Sequence, residues 1–353
     1  MDKILGTYTD SRDNNFNLIR VIASLLVLFT HSFALVEGSS MAEPLKLSLG
    51  TTLGTIAVDI FFITSGFLIA GSFFNKNSIL SFIWARILRI YPAIIVSMIF
   101  SVFVIGLIFT KYSIFEYLSN IDIYKFFFTN IILYFRIEYS LLDIFENNPI
   151  AYTINGSLWT LPFEIKMYIY LAIIGTILIL FQKFIKKPIV KISFFIIVLF
   201  ALIQDMIYHF YFNKIDASVY LFYMFFVGSA FYIFRDYIYL SFKLFLIMLV
   251  ILLFSSFDRE VFFVIYTLFL PYMVFFLAYI PSGIIREFNK LGDYSYGIYI
   301  YAFPIQQSIV SIYPNISIVN MVIVSSFTTF ILAILSWHLV EKRFLKMKIK
   351  RKK

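Results

Sequence analysis

The run NLIRVIASLLVLFTHSFALV at 17–36 is apolar enough to cross a bilayer, yet it carries an arginine and a histidine. Arg20 and His31 are eleven positions apart. At 3.6 residues per turn they share one helical face, about 16 Å apart along the axis. Charged and titratable groups in hydrocarbon are costly and are usually kept for a task. A neutral imidazole can take a proton from a hydroxyl near neutral pH. A cation at one depth and a base at another is a layout for chemistry across a membrane. A histidine near a helix end can equally be held by a neighbour's hydrogen bond, and the residue alone leaves both roles open.

Two carboxylates are expected at a depth close to that of His31. Asp59 lies about 10 Å inside the second apolar run. Beside an imidazole it would fix the tautomer and stabilise the imidazolium; alone, it would be satisfied by backbone or water. Glu164 follows Pro162 at the start of the fourth run. Three titratable groups at one depth predict a polar cavity, because exposing them to lipid would be costly. Lys166 points about 200° away from Glu164 and falls outside that cluster. At the other face, Arg86 and Arg89 are nearly one turn apart. They are either a phosphate clamp or an ordinary pair of membrane-edge cations. Arg20 either steers a polar substrate or holds the first helix against its neighbours.

The elements that position these groups are about ten apolar runs. The 353 residues are 61% hydrophobic and 14% charged, against about 25% charged for a soluble domain. The fold class is an all-α membrane protein. Spans are expected near 17–36, 52–74, 90–110, 158–181, 192–212, 219–235, 241–256, 260–280, 294–313 and 317–340. With that count, six cations (Lys46, Lys111, Lys125, Arg136, Lys214 and Arg259) face one side and 21 face the other. The positive-inside rule then puts both termini in the cytoplasm. The segment at 121–137 is apolar, but counting it as a span would export the whole basic tail. It reads as a partly buried part of a long outer loop, 111–157. The first run lacks a cleavage site and is expected to be retained. The chain reads as a single membrane domain, 1–353, with a core at 15–344 and a basic tail at 345–353.

The net charge of +9 is explained by this asymmetry, and no nucleic-acid partner is expected. With no cysteine and three histidines, thiolate chemistry is excluded and no metal site is expected.

Six stretches, in order, stand out from plain span composition: NFNLIRVIASLLVLFTHSF at 15–33, VDIFFITSGFLIAGSF at 58–73, ARILRIYPA at 85–93, NGSLWTLPFEIKMYIY at 155–170, LGDYSYGIYIYAFPIQQ at 291–307 and VEKRF at 340–344. Together they resemble acyltransferase family 3, membrane-bound O-acyltransferases of surface polysaccharides. The resemblance implies an acyl-CoA donor, most often acetyl-CoA, on the cytoplasmic side of a bacterial inner membrane. It implies transfer to a hydroxyl of a surface or lipid-linked sugar such as O-antigen, capsule or exopolysaccharide. His31, Asp59 and Glu164 would then be the catalytic group, and Arg20, Arg86 and Arg89 would meet the phosphates of the donor. One departure stands out: many members carry a histidine in Y-L-x-H-x-P, where this chain has Ala302 in YIYAFP. The alternative is a transporter or flippase for a lipid-linked sugar, which would also use intramembrane charge. Such proteins are often built of symmetric halves, and no duplication is visible in the sequence.

Overall fold

The computed structural model describes residues 3–9, 11, 13–75, 78–184 and 188–348. Lys186, Lys187 and the basic tail beyond 348 lie outside the described residues. Among those described, the chain is mostly helical, with one two-stranded antiparallel pair, β1 (Lys3–Ile4) against a strand near residue 240, and a long irregular stretch at 133–155. The helices are α1 (Phe16–Glu37), the short α2 (Pro44–Leu49), α3 (Leu53–Phe74), α4 (Ile79–Ile99), α5 (Ile121–Ile132), α6 (Leu161–Phe184), α7 (Ile189–Phe210) and α8 (Ala217–Ile233). After β2 (Tyr239–Leu240) come α9 (Phe242–Ser255), α10 (Arg259–Tyr279), α11 (Ser295–Ile312) and α12 (Ile318–Ser336).

Among the described residues seven helical stretches are long and apolar enough to cross a membrane: 16–37, 53–74, 79–109, 156–184, 189–210, 259–279 and 318–345. α8 and α9 are shorter apolar helices. α11 stands outside that set because tyrosine, serine and glutamine break up its hydropathy, yet nearly all of it is buried. A polar-flecked helix enclosed on every side acts as the hub against which α1, α12 and α4 pack. The apolar segment at 121–137 forms α5 and a turn. It lays Ile123 and Phe126 against the bundle and leaves Phe128 exposed, as a loop element lying along the surface would.

Two devices fix the packing around the hub. First, α3 and α8 touch backbone to backbone. Gly66 faces the carbonyl of Phe225 and Gly228 faces that of Ile63, so a Cβ at either position would collide. The Ser229 hydroxyl donates to the Gly66 carbonyl at 3.1 Å. Small residues allow this close approach between apolar helices. Second, prolines inside helices release carbonyls that other elements capture. A proline has no N–H for the carbonyl four residues back. Pro304 leaves the Ile300 carbonyl free, and the Asn155 side chain donates to it at 2.8 Å. Pro271 leaves the Thr267 carbonyl free, and the Tyr223 hydroxyl donates to it at 3.2 Å. Each capture ties a helix to a partner far away in sequence.

Candidate active site

α1 is anchored at both ends of the Arg20–His31 face. At its start the Asn15 side chain donates to the carbonyls of Leu277 and Pro281 at 3.0 and 2.9 Å, pinning it to the end of α10. Near its other end, the residues flanking His31 are both engaged. The Thr30 hydroxyl accepts the Gly54 N–H at 2.7 Å, and the Ser32 hydroxyl accepts from Gln306 at 2.8 Å. The imidazole is therefore carried on a helix turn locked to α3 on one side and to α11 on the other. Phe303 meets the ring edge-on at 5.1 Å between centroids. His31 Nδ1 is enclosed and has no hydrogen-bond partner.

His31 lines a cavity of ≈ 660 Å³ at the end of the bundle away from the termini. Asp59, Trp159, Tyr220, Tyr266 and Tyr299 share its wall. Asp59 is wholly buried. The hydroxyls of Tyr220 and Tyr266 both donate to its Oδ2, the second at 2.5 Å, while Oδ1 has no partner. The expected carboxylate–imidazole pair is thus replaced by a carboxylate–tyrosine cluster on the same wall. His209, to which sequence reasoning gave no chemistry, also reaches this cavity. It is stacked on Phe263 and bonded to Glu260 at 2.6 Å.

Glu164 is not at this level. It lines a narrower chamber of ≈ 40 Å³ together with Arg20, Arg89, Ser65 and Tyr296, and accepts from the Tyr168 hydroxyl. Residue spacing gave its depth too coarsely to separate the two compartments. Lys166 lies over Phe163 and lines a different groove, away from Glu164. Val58 and Tyr299 line both chamber and cavity, so the two adjoin. The Tyr299 hydroxyl is held to that of Thr160 at 2.6 Å, fixing the ring at the junction.

The three arginines part company. Arg20 and Arg89 both hold Asp293 Oδ2, at 2.9 and 2.5 Å, and Arg89 also approaches Glu341 at 3.7 Å. The Ser295 hydroxyl donates to the other oxygen of Asp293. Two cations and two carboxylates close a nearly neutral knot. Arg86 makes no ion pair among the described residues. Its Nε is buried without a partner, and its guanidinium lies 5.8 Å from the Phe82 ring and 5.9 Å from that of Tyr168. Sequence reasoning quoted the stretches holding Asp293 and Glu341 but passed over both acids. The missed signal was the rule that a charge inside the bilayer needs a partner. Among the described residues no cluster of three or more histidines, aspartates and glutamates could hold a metal.

The compartments thus order the candidate groups: a knot of paired charge, a narrow chamber, and a roomy cavity with an under-partnered imidazole. Comparison with known proteins points the same way. The family model for an acyltransferase domain matches residues 13–338. A protein named O-acetyl transferase from Shigella phage Sf6 is 30% identical over 347 residues, 95% of this chain and 96% of the relative. Nodulation protein 10 of Rhizobium leguminosarum bv. viciae is 30% identical over 182 residues, 47% of this chain and 45% of its own length. No solved structure matches the chain significantly. The apolar helices, the arginine–histidine face of α1 and the match over nearly the whole length lead to one conclusion: this chain belongs to acyltransferase family 3 and is a multi-pass acyltransferase.

Proposed function

We propose that the protein moves an acetyl group from cytoplasmic acetyl-CoA to a hydroxyl of a bacterial surface glycan or lipid-linked sugar, across an inner membrane spanned by ten helices with both termini inside. The observation that carries this reading is the shared wall. The chamber lined by Arg20 and Arg89 and the cavity lined by His31 meet at Val58 and Tyr299. Adjoining compartments are what a donor arm passing from one end to the other requires, and a base stands at the far one.

In this reading His31 takes the proton of the acceptor hydroxyl as the oxygen attacks the thioester carbonyl. The C–O bond forms, the C–S bond breaks, and the proton passes from the imidazolium to the departing thiolate. Asp59, held by two tyrosines, presents its unpartnered Oδ1 on the same wall to the polar groups of the acceptor. Glu164 orients groups passing through the chamber. Arg20 and Arg89, held by Asp293, keep the chamber in shape where the donor passes, and Arg86, which lines a groove on the flank of α4 and not the chamber, takes no part in this reading. The distance from Arg20 to His31, about 16 Å along the helix, is one that an extended pantetheine arm spans. The test is glycan acetylation in cells carrying His31→Ala against wild type at equal protein level. The reading expects loss of acetylation; full acetylation by the variant overturns it. Thermal stabilisation of the purified protein by CoA separates it from a flippase, which has no use for CoA.

A further inference from the structure

A second site lies on the flank of the bundle, apart from the path just described. A groove runs between α4 and α6, lined by Ile79, Ile83, Ile87, Ile169, Ile173 and others, with a volume of ≈ 560 Å³. Ile83, Ile87, Ile169 and Ile173 are all well exposed, so the groove opens sideways towards the surrounding apolar phase. From Ile79 to Ile90 it rises by eleven residue steps, about 16 Å. That matches the hydrocarbon depth of one leaflet, about 15 Å. At its foot, on the end of the bundle that carries the termini, sits a cavity of ≈ 840 Å³. Ile79 and Thr176 line both, so groove and cavity are continuous. Three cations, Lys183, Lys191 and Arg235, line the cavity and no carboxylate does. Among the described residues none of the three makes an ion pair. Lys191 donates to the Tyr237 hydroxyl at 3.1 Å and Arg235 to the Tyr232 carbonyl at 2.9 Å, neutral partners that leave the charge uncompensated.

We propose that groove and cavity together form a binding site for one anionic phospholipid of the leaflet at the termini end. The phosphate-bearing headgroup sits among Lys183, Lys191 and Arg235, and one acyl chain lies along the isoleucine wall. Basic pockets between transmembrane helices recognise headgroups in this way. The charge alone would also suit a free nucleotide phosphate. The groove does not: for its whole length a single charged side chain, Arg86, interrupts the apolar wall, and a ribose or base there would lose its hydrogen bonds. This site is independent of the acyl-transfer reading.

Native mass spectrometry of the full chain released from nanodiscs of phosphatidylglycerol and phosphatidylcholine, matched in their acyl chains, tests the assignment. The wild type is expected to retain phosphatidylglycerol preferentially. Lys183→Gln/Lys191→Gln/Arg235→Gln should lower that retention about 10- to 100-fold without changing phosphatidylcholine. Ala172→Trp, which fills the groove and leaves every charge in place, should lower it as well; this variant keeps the test decisive if the triple variant fails to fold. Equal retention of the two lipids, or unchanged retention in these variants, overturns the proposal. So does displacement of phosphatidylglycerol by added CoA, which would make the three cations a nucleotide site.

Discussion

The two ends of the Arg20–His31 face solve the problem of intramembrane charge in opposite ways. At Arg20 the charges are paired: Asp293 and Glu341 neutralise two guanidiniums around a chamber of ≈ 40 Å³, with Arg20 Nε and Glu341 Oε2 left without hydrogen bonds. At His31 the cavity is ≈ 660 Å³, and Nδ1 of the ring and Oδ1 of Asp59 lack partners. Both ends bury polar atoms without hydrogen bonds, which costs free energy, but at the Arg20 end each charge is offset by an opposite charge, and at the His31 end the unpartnered groups line a roomy cavity. The difference teaches where chemistry is to be sought. A closed knot holds helices together, whereas an open cavity with unused hydrogen-bonding capacity is available to a substrate.

This contrast breaks if variants at the two ends behave alike. His31→Ala should lower acetyl transfer about 10²- to 10⁴-fold, the range for loss of a general base, with thermal unfolding in detergent unchanged. Asp293→Ala should do the reverse first. It strands Arg20 and Arg89 without their shared carboxylate, and breaking such a buried pair costs about 3–5 kcal/mol, read as a large loss of folded protein. If Asp293→Ala unfolds no more easily than wild type, the knot is not structural and the comparison fails.

Smaller effects sharpen the same line. A Cβ at Gly156 would stand 2.6 Å from the Phe303 ring, which is itself packed edge-on against His31. Gly156→Ala should destabilise by about 1–3 kcal/mol through overpacking. It should also lower kcat more than it raises the acceptor KM, because it moves the ring that supports the imidazole. An unchanged kcat would remove Phe303 as a positioning residue. Smallest is Asn155→Ala, which leaves the Ile300 carbonyl released by Pro304 without its 2.8 Å donor. The expected cost is about 1–3 kcal/mol, with activity per folded molecule retained. A fall in activity larger than the fall in folded protein would place Asn155 in the site itself.

Much of the architecture was legible because hydropathy is a local property. Among the described residues ten helices of 14 residues or more lie close to the ten expected runs, and seven stretches meet the length and apolarity of a membrane crossing. The largest boundary error is at α4, which begins at Ile79 rather than near 90. Arg86 and Arg89 therefore sit two to three turns inside the helix, not at its mouth. The sequence window that placed them at an edge counted charges as breaks in the span. It could not count the counter-ion: Arg89 meets Asp293 across 204 residues and Arg20 meets it across 273. Pairings of that range are settled by tertiary packing, which leaves no periodic trace. The same limit explains Glu164. Its rise along α6 was readable, but the tilt and rotation that put it in the chamber were not. Phe303 lies in the motif read at 291–307, yet its contact with His31 depends on how α1 and α11 face each other.

The central claim is that a donor approaching from the termini end reaches a base at the opposite end. Sealed vesicles of one orientation, with the acceptor glycan on the His31 side, test it most directly. Labelled acetyl-CoA is supplied to one side only, and label in the glycan is measured. The account predicts labelled glycan when acetyl-CoA is on the termini side and none when it is confined to the His31 side. Equal labelling from the His31 side would contradict it.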